Sequence, residues 1–225
     1  MKSKQRDLIV IIPAHEEEAS VGEVVTRVCK LGFPVVVIDD ASSDGTAKAA
    51  EAAGALVITL NNRLGAWMAA QTGLHYAYER GFKIAVTLDA DGQHAPEAIE
   101  ILLRPLYARE ADVVIGSCLS RLSSCRRFAG YFFRKLTGLA IQDITSGFRA
   151  YNHMALAALI RKEASLLDYQ DLGVLLHLHH AGFVIREVSV PMNPRRNGKS
   201  RIFSSWWEVV RYLVATGILG LAKRT

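Results

Sequence analysis

Two aspartates one residue apart, Asp89 and Asp91 in Thr87-Leu88-Asp89-Ala90-Asp91-Gly92-Gln93-His94, follow directly on the apolar run Ile84-Ala85-Val86. Carboxylates at i and i+2 just past a strand can both turn toward one hard cation once the chain leaves the sheet. Mg²⁺ or Mn²⁺ held this way takes one or two carboxylates and fills its shell with substrate phosphate oxygens. Such an ion is a Lewis acid for a departing diphosphate. Gln93 can add a neutral oxygen. A plain polar turn has the same composition; the apolar run before it and two companion loops favour the metal reading. One companion is Val37-Ile38-Asp39-Asp40-Ala41-Ser42-Ser43-Asp44-Gly45-Thr46. There Asp40 is available to a ribose or a base N–H, while Ser43 or Asp44 caps the next helix. The other is Ile12-Pro13-Ala14-His15-Glu16-Glu17, whose backbone and Glu16 can bracket a nucleotide base.

These loops need a frame that brings them together, and the pattern supplies one. Leu8–Ile12, Val35–Ile38, Leu56–Leu60, Ile84–Leu88 and Val113–Ile115 are short β-branched runs, as buried parallel strands require. Pro13 ends the first. Helical patterns lie between them, at about Ala19–Leu31 with Ser20 as cap, after Asp44, and at about Ala66–Arg80. Strands alternating with helices predict an α/β fold with a mostly parallel sheet and right-handed crossovers. Ligands of such sheets bind beyond the carboxyl ends of the strands, where all three loops fall. The second half is less regular. Residues 121–135 are basic and aromatic, 143–151 read as a turn and short strand, 170–181 as a helix and 184–190 as a strand. Residues 191–200 form a basic loop and 203–221 a helix bearing Trp206 and Trp207.

The 225 residues suit one domain, and a hydrophobic share of 50% provides a sizeable core. Cys29, Cys118 and Cys125 are odd in number and lack metal-ligand spacing, so reduced thiols are expected, with Cys29 packed in the core. The net charge of +5 suits phosphates or an acidic membrane surface. No nucleic-acid-binding signature accompanies it, so nucleic acid is not an expected partner. The N-terminal residues lack the apolar stretch of a secretory signal, and no apolar run reaches the roughly 20 residues of a spanning helix. The expected location is cytoplasmic, either soluble or peripheral at the inner face of the membrane.

Taken in order along the chain, Pro13-Ala14-His15-Glu16, Asp39-Asp40-Ala41-Ser42-Ser43-Asp44-Gly45-Thr46 and Asp89-Ala90-Asp91-Gly92-Gln93-His94 resemble the motifs of family 2 glycosyltransferases. The similarity is greatest to the dolichyl- and polyprenyl-phosphate mannosyl- and glucosyltransferases. It extends through Asp112-Val113-Val114-Ile115-Gly116-Ser117, Asp143-Ile144-Thr145-Ser146-Gly147-Phe148-Arg149, Glu187-Val188-Ser189-Val190-Pro191 and Arg196-Asn197-Gly198-Lys199-Ser200. The resemblance implies a GT-A fold, Rossmann-like. Residues 1–117 would be the nucleotide-sugar half, 118–202 the acceptor half and 203–225 a C-terminal helix, either packed on the sheet or membrane-associated. It implies a nucleotide-sugar donor of the GDP-mannose or UDP-glucose type, Mg²⁺ or Mn²⁺, and a polyprenyl-phosphate acceptor. Pro13, Ala14, Glu16 and Asp40 would contact the nucleoside. Asp89, Asp91 and Gln93 would hold metal and diphosphate. Arg149, Arg196 and Ser200 would lie near phosphates. The chain departs from the family at Leu64-Gly65-Ala66-Trp67, where many members carry Gly-Lys-Gly, and at Cys118, where an arginine is usual.

For a hydroxyl acceptor, the inverting transfer needs a general base, and Asp171 stands where the family has one; its alternative role is to complement a helix N-terminus. A lipid phosphate is already anionic, and Arg126 and Arg127, among Phe128, Tyr131, Phe132 and Phe133, would help hold it. That segment is otherwise a solvated helix face. His177, His179 and His180 share a helix at poor ligand spacing and read as structural or surface residues. A sugar nucleotidyltransferase would show a Gly-rich loop with lysine after the first strand, and Pro13–Glu17 contains no glycine. A non-catalytic nucleotide-sugar-binding protein would not need the Asp89/Asp91 pair.

Overall fold

The computed structural model describes residues 7–118, 141–160 and 172–193. Its central strand is β1 (Leu8–Ala14). Leu8, Val10 and Ile12 enter the apolar cluster on one face of the sheet, Ile9 and Ile11 the cluster on the other. Both faces are covered, so the strand shows no polar alternation. Helix α1 (Glu18–Lys30) lays Val21, Val24, Val25 and Val28 on the first face. Strand β2 (Val35–Asp39), helix α2 (Thr46–Ala52) and strand β3 (Leu56–Thr59) follow. Helix α3 (Ala66–Glu79) covers the second face with Trp67, Ala70, Leu74 and Ala77. Strand β4 (Ile84–Thr87) returns beside β1; a 3₁₀ turn at Pro96–Ala98 leads into helix α4 (Ile99–Tyr107) and strand β5 (Val113–Ser117). The described chain is completed by strand β6 (Arg149–Asn152), helix α5 (His153–Leu159), helix α6 (Leu172–His180) and strand β7 (Ile185–Ser189).

The seven strands lie in the order β3-β2-β1-β4-β6-β5-β7. Every pairing is parallel except the two made by β6, which is antiparallel to β4 and β5. The mostly parallel α/β sheet expected from the sequence is therefore present. Its order grows from β1 one way through β2 and the other way through β4. That reversal opens a crevice beyond the carboxyl ends of β1 and β4.

Local details differ from the sequence reading. Pro13 lies inside β1, in register with Ile38, and the strand runs on to Ala14. The ladder to β4 covers only Leu8–Ile11, and the Leu88 N–H bonds to Ile11 O. Pro13 faces that same side, two residues on, beyond the end of β4, so its missing N–H interrupts no ladder. Ser20 is not a cap: α1 begins at Glu18, and the Ser20 hydroxyl donates to the Glu17 carboxylate. Cys29 packs half-buried against the core, where burial pushes its thiol pKa up. His179 and His180 are exposed at the end of α6. Among the described residues no helix is long and apolar enough to cross a membrane. The 203–221 helix expectation and the aromatic-basic segment lie outside the described residues.

One glycine sets the distance between helix and sheet. A Cβ on Gly73 of α3 would overlap Ile11 Cγ2 and sit 3.3 Å from Ile11 Cβ. Alanine is the better helix former by about 1 kcal/mol. Overpacking against a fully buried, β-branched side chain costs about 1–3 kcal/mol and outweighs that gain. Gly73→Ala is expected to lower the melting temperature by several degrees; an unchanged or raised value in a thermal melt would show that helix and strand are not in close contact.

Candidate active site

The loops after β1 and β2 are stitched to each other. Glu16 N–H donates to Ser42 Oγ, Glu17 N–H to Thr46 Oγ1 and Glu18 N–H to Asp44 Oδ2. In return Ser43 N–H and Oγ donate to Glu16 Oε1, at 2.7 and 3.0 Å, and Gly45 N–H donates to Glu18 Oε2. The N–H of Glu18, which opens α1, and that of Gly45, just before α2, have no partner within their helices and are thus satisfied across the gap. Asp44 accepts from both Thr46 N–H and Thr46 Oγ1, so it is the residue that serves the start of α2. Ser43 serves Glu16 instead. Glu16 itself adopts a left-handed backbone, φ 55°, a conformation that costs a non-glycine residue energy and persists only where its surroundings fix it.

Ser43 also sets the acidity of Glu16. Its N–H and hydroxyl hold the ionised carboxylate and lower the Glu16 pKa below the ordinary glutamate value; slight desolvation and Asp44 oppose this, and His15 assists. A depressed folded-state pKa gives a contribution that is complete above the unfolded pKa and lost as pH falls through the folded one. Ser43→Ala is expected to raise the Glu16 pKa toward its ordinary value in an NMR titration. An unmoved titration curve would show that the Ser43 hydroxyl does not hold the Glu16 carboxylate in solution.

Asp40 occupies the neighbouring corner. It is buried, and its two carboxylate oxygens accept the N–H groups of Leu64 (2.6 Å) and Gly65 (2.8 Å) at the start of α3. Gly65 has φ 91°, a backbone glycine adopts without strain. The Leu64-Gly65-Ala66-Trp67 segment, where the chain departs from Gly-Lys-Gly, therefore wraps Asp40, and Trp67 packs into the core. The sequence reading left Asp40 fully available to a ligand; the structure commits one lone pair of each oxygen to the backbone. The Asp40 N–H bonds to Ala14 O, and His15 Nδ1 lies 2.9 Å from Asp40 O. Pro13, Ala14, Glu16 and Asp40 thus lie together at the carboxyl ends of β1 and β2.

The loop after β4 leaves the same carboxyl edge of the sheet, beside β1. The Asp89 side chain is 44% exposed. His94, buried and stacked on Phe148 at 5.1 Å, places Nδ1 3.4 Å from both Asp89 N and Asp89 Oδ2. Its tautomer decides whether it accepts from the first or donates to the second. Asp91 accepts the backbone N–H of Gln93 on one oxygen and the Gln93 side-chain amide on the other. Two outside segments clamp this loop. Asn193, beyond β7, donates its N–H to Gln93 O and its amide to Gly92 O, and Met192 bridges His94. On the other side Gly147 abuts Asp89: a Cβ there would lie 3.0 Å from Asp89 Cγ and closer still to Oδ1. Gly147, Asn193 and Met192 carry no sequence signal that ties them to Asp89.

Hard carboxylate oxygens at i and i+2, one well exposed and in a niche that a methyl group would fill, fit a small divalent cation. Among the described residues no three His, Cys, Asp or Glu side chains converge on one point. An ion at Asp89 and Asp91 would accordingly need oxygens from a substrate or from water. Arg149 lies on β6 opposite Thr87. It is buried, and its guanidinium donates to the carbonyls of Ser146 and Ile144 at 2.8 and 2.9 Å. Asp171, Arg126, Arg127, Arg196 and Ser200 lie outside the described residues.

A mostly parallel sheet whose order switches between β1 and β4, with two aspartates just past the β4 tip, is the architecture of the GT-A glycosyltransferase fold. The family model for glycosyl transferase family 2 matches residues 9–164, and the chain belongs to that family. Among its relatives, the polyprenol monophosphomannose synthase of Mycolicibacterium smegmatis is 30% identical over 248 residues, covering 100% of this chain and 91% of that one. The undecaprenyl-phosphate mannosyltransferase of Micrococcus luteus is 34% identical over 214 residues, 87% of each chain. In fold, the chain is similar to glucosyl-3-phosphoglycerate synthase of Mycobacterium tuberculosis, solved with Mn²⁺, UDP and phosphoglyceric acid. The TM-score is 0.72 at 20% identity, over 96% of this chain and 82% of that one.

Proposed function

We propose that this glycosyltransferase moves a hexosyl group, with inversion, from a nucleoside-diphosphate sugar of the GDP-mannose or UDP-glucose type to a polyprenyl phosphate at the cytoplasmic membrane surface. The observation that carries the donor half is topological: Glu16 and Asp40 follow β1 and β2, Asp89 and Asp91 follow β4, and these parallel strands are neighbours, so all four carboxylates lie on one carboxyl edge of the sheet at the β1–β4 switch. The acceptor half rests on the two relatives named for polyprenyl-phosphate mannosyl transfer. Metal use is supported by the donor set of this loop and by the Mn²⁺ in the fold neighbour.

In this reading the loop Pro13–Glu16 and the Asp40 corner bind the nucleoside, their backbone already fixed by the hydrogen bonds between loops. Asp89 and Asp91 hold Mg²⁺ or Mn²⁺, and Gln93, its amide nitrogen on Asp91, offers its amide oxygen. The ion, when bound, supplies Lewis-acid stabilisation of the negative charge on the diphosphate. A phosphate oxygen of the lipid attacks the anomeric carbon as the bond from that carbon to the donor diphosphate breaks. The nucleoside diphosphate leaves, and no proton moves, because the attacking oxygen is anionic. Asp171 as base would be required only for a hydroxyl acceptor. Arg126, Arg127, Arg149, Arg196 and Ser200 are the residues proposed to hold the phosphates.

The deciding experiment offers the purified protein GDP-mannose or UDP-glucose with Mn²⁺ and, in parallel, a short-chain polyprenyl phosphate, the corresponding polyprenol and a saccharide. Transfer to the phosphate alone is expected. Transfer to the polyprenol or saccharide, with none to the phosphate, would overturn the acceptor assignment.

A further inference from the structure

The segment Gln142–Arg149 borders the site and is held from four strands. Glu187 of β7 accepts the backbone N–H groups of Gln142 (2.8 Å) and Asp143 (2.9 Å), one on each carboxylate oxygen. Asp143 accepts the N–H and hydroxyl of Thr145. Arg149 of β6 donates from inside the loop to the carbonyls of Ile144 and Ser146. The Ser146 hydroxyl donates to Gly116 O of β5, and Thr87 Oγ1 of β4 donates to Gly147 O. The result is a fixed backbone at Gly147, set directly against the Asp89 carboxylate.

We propose that Glu187 is a positioning residue for Asp89, which it orients through the Gln142–Gly147 backbone, and that it thereby sets the affinity of the site for a divalent cation. The inference rests on the reading of Asp89 as a metal ligand. Glu187 acts at a distance: its carboxylate ends on two N–H groups, and the chain between those groups and Gly147 is already stiffened by Asp143 and Arg149. Two N–H donors converging on one carboxylate make a charge-assisted pair. Glutamine would keep one acceptor and turn an NH₂ group against the other N–H. Loss of a group that hydrogen-bonds a metal ligand directly typically weakens metal binding about 10- to 100-fold, and Glu187, acting one layer further out through the backbone, belongs at the low end of that range. The two N–H groups and Glu187 are 45 and 44 residues apart in sequence, so the clamp exists only in the folded sheet.

The test compares wild type, Glu187→Gln and, as a control on the same strand, Ser189→Ala, whose side chain is exposed. Mn²⁺ is titrated in the presence of UDP or GDP and followed by electron paramagnetic resonance of the free ion. Melting in chelator and kcat at saturating Mn²⁺ are measured alongside. Glu187→Gln is expected to raise the Mn²⁺ dissociation constant about 10-fold, with kcat restored to within about twofold by excess Mn²⁺ and Ser189→Ala unchanged. Mn²⁺ affinity within twofold of wild type would overturn the inference, as would a loss that excess metal does not restore. Where Glu187→Gln fails to fold, Glu187→Asp carries the same test: it keeps the charge but retracts it, and wild-type affinity in that variant overturns the proposal equally. Wild-type protein that binds no Mn²⁺ with either nucleotide would remove the metal reading itself; an insensitive Glu187→Gln beside a metal-binding wild type would remove only this inference.

Discussion

Asp91→Asn is expected to abolish metal-dependent binding of the donor nucleotide and to lower kcat/KM by about 10³-fold, roughly 4 kcal/mol of transition-state stabilisation. Asparagine keeps the shape and one acceptor oxygen for the Gln93 N–H that bonds Asp91, so the loop should keep its course. What is removed is the anionic charge, and with it an oxygen able to bind a hard cation while holding its hydrogen bond to Gln93. Calorimetric titration of UDP or GDP with and without Mn²⁺ reads the first effect; steady-state transfer reads the second. A variant that kept Mn²⁺-dependent nucleotide binding and activity within tenfold of wild type, with an unchanged melting temperature, would remove the metal role of this loop.

The second large effect is expected at a residue with no side chain. Gly147→Ala places a methyl group where the Asp89 carboxylate now lies. Asp89 is 44% exposed and can swing away into solvent, so the cost to folding is small. Its cost to function is large, because a ligand displaced by about 1 Å no longer serves the same ion or diphosphate, and misplacement on that scale can cost about 10²-fold in rate. A fall of about that size in kcat/KM, with a melting temperature within a few degrees of wild type, is the expected outcome. Unchanged kinetics would mean that Asp89 does not need its present position. The contrast with Gly73 is informative: there the obstacle is the fully buried Ile11, which cannot move, and the penalty falls on stability.

How far the sequence could be read depended on how local each signal was. β1, β2 and β4 were visible because a strand buried on both faces must be an apolar run, and the polar residues that end each run mark the loops of the site. The Asp89–Asp91 pair was legible for the same reason. β6 was harder: Arg149-Ala150-Tyr151-Asn152 has no apolar run, and its antiparallel insertion between β4 and β5 is a matter of tertiary pairing. Helix α4 is hidden from the sequence pattern, because Pro105 inside it contradicts the local helical signal. Helix α5, only seven residues long, is too short to show a helical period. The partners of the site loops were out of reach altogether. Asn193 meets Gly92 across 101 residues, and Gly147 meets Asp89 only because β6 lies beside β4. Nothing in Leu64 or Gly65 announces that their N–H groups turn back to Asp40, so the sequence alone leaves its carboxylate available to ligand.

Within the described sheet β7 is an outermost strand, zipped to β5 alone. Yet it carries Glu187 in its middle and runs directly into Met192 and Asn193, which grip residues 92–94. Both grips therefore hang on one margin of the molecule. Margins of sheets fray at lower free-energy cost than whole domains melt. Peeling β7 would release the two grips together while β1 and its covering helices stayed folded. Occupancy of the crevice would then be felt as slower amide exchange along Ile185–Ser189, because a ligand that favours the zipped form holds that margin closed.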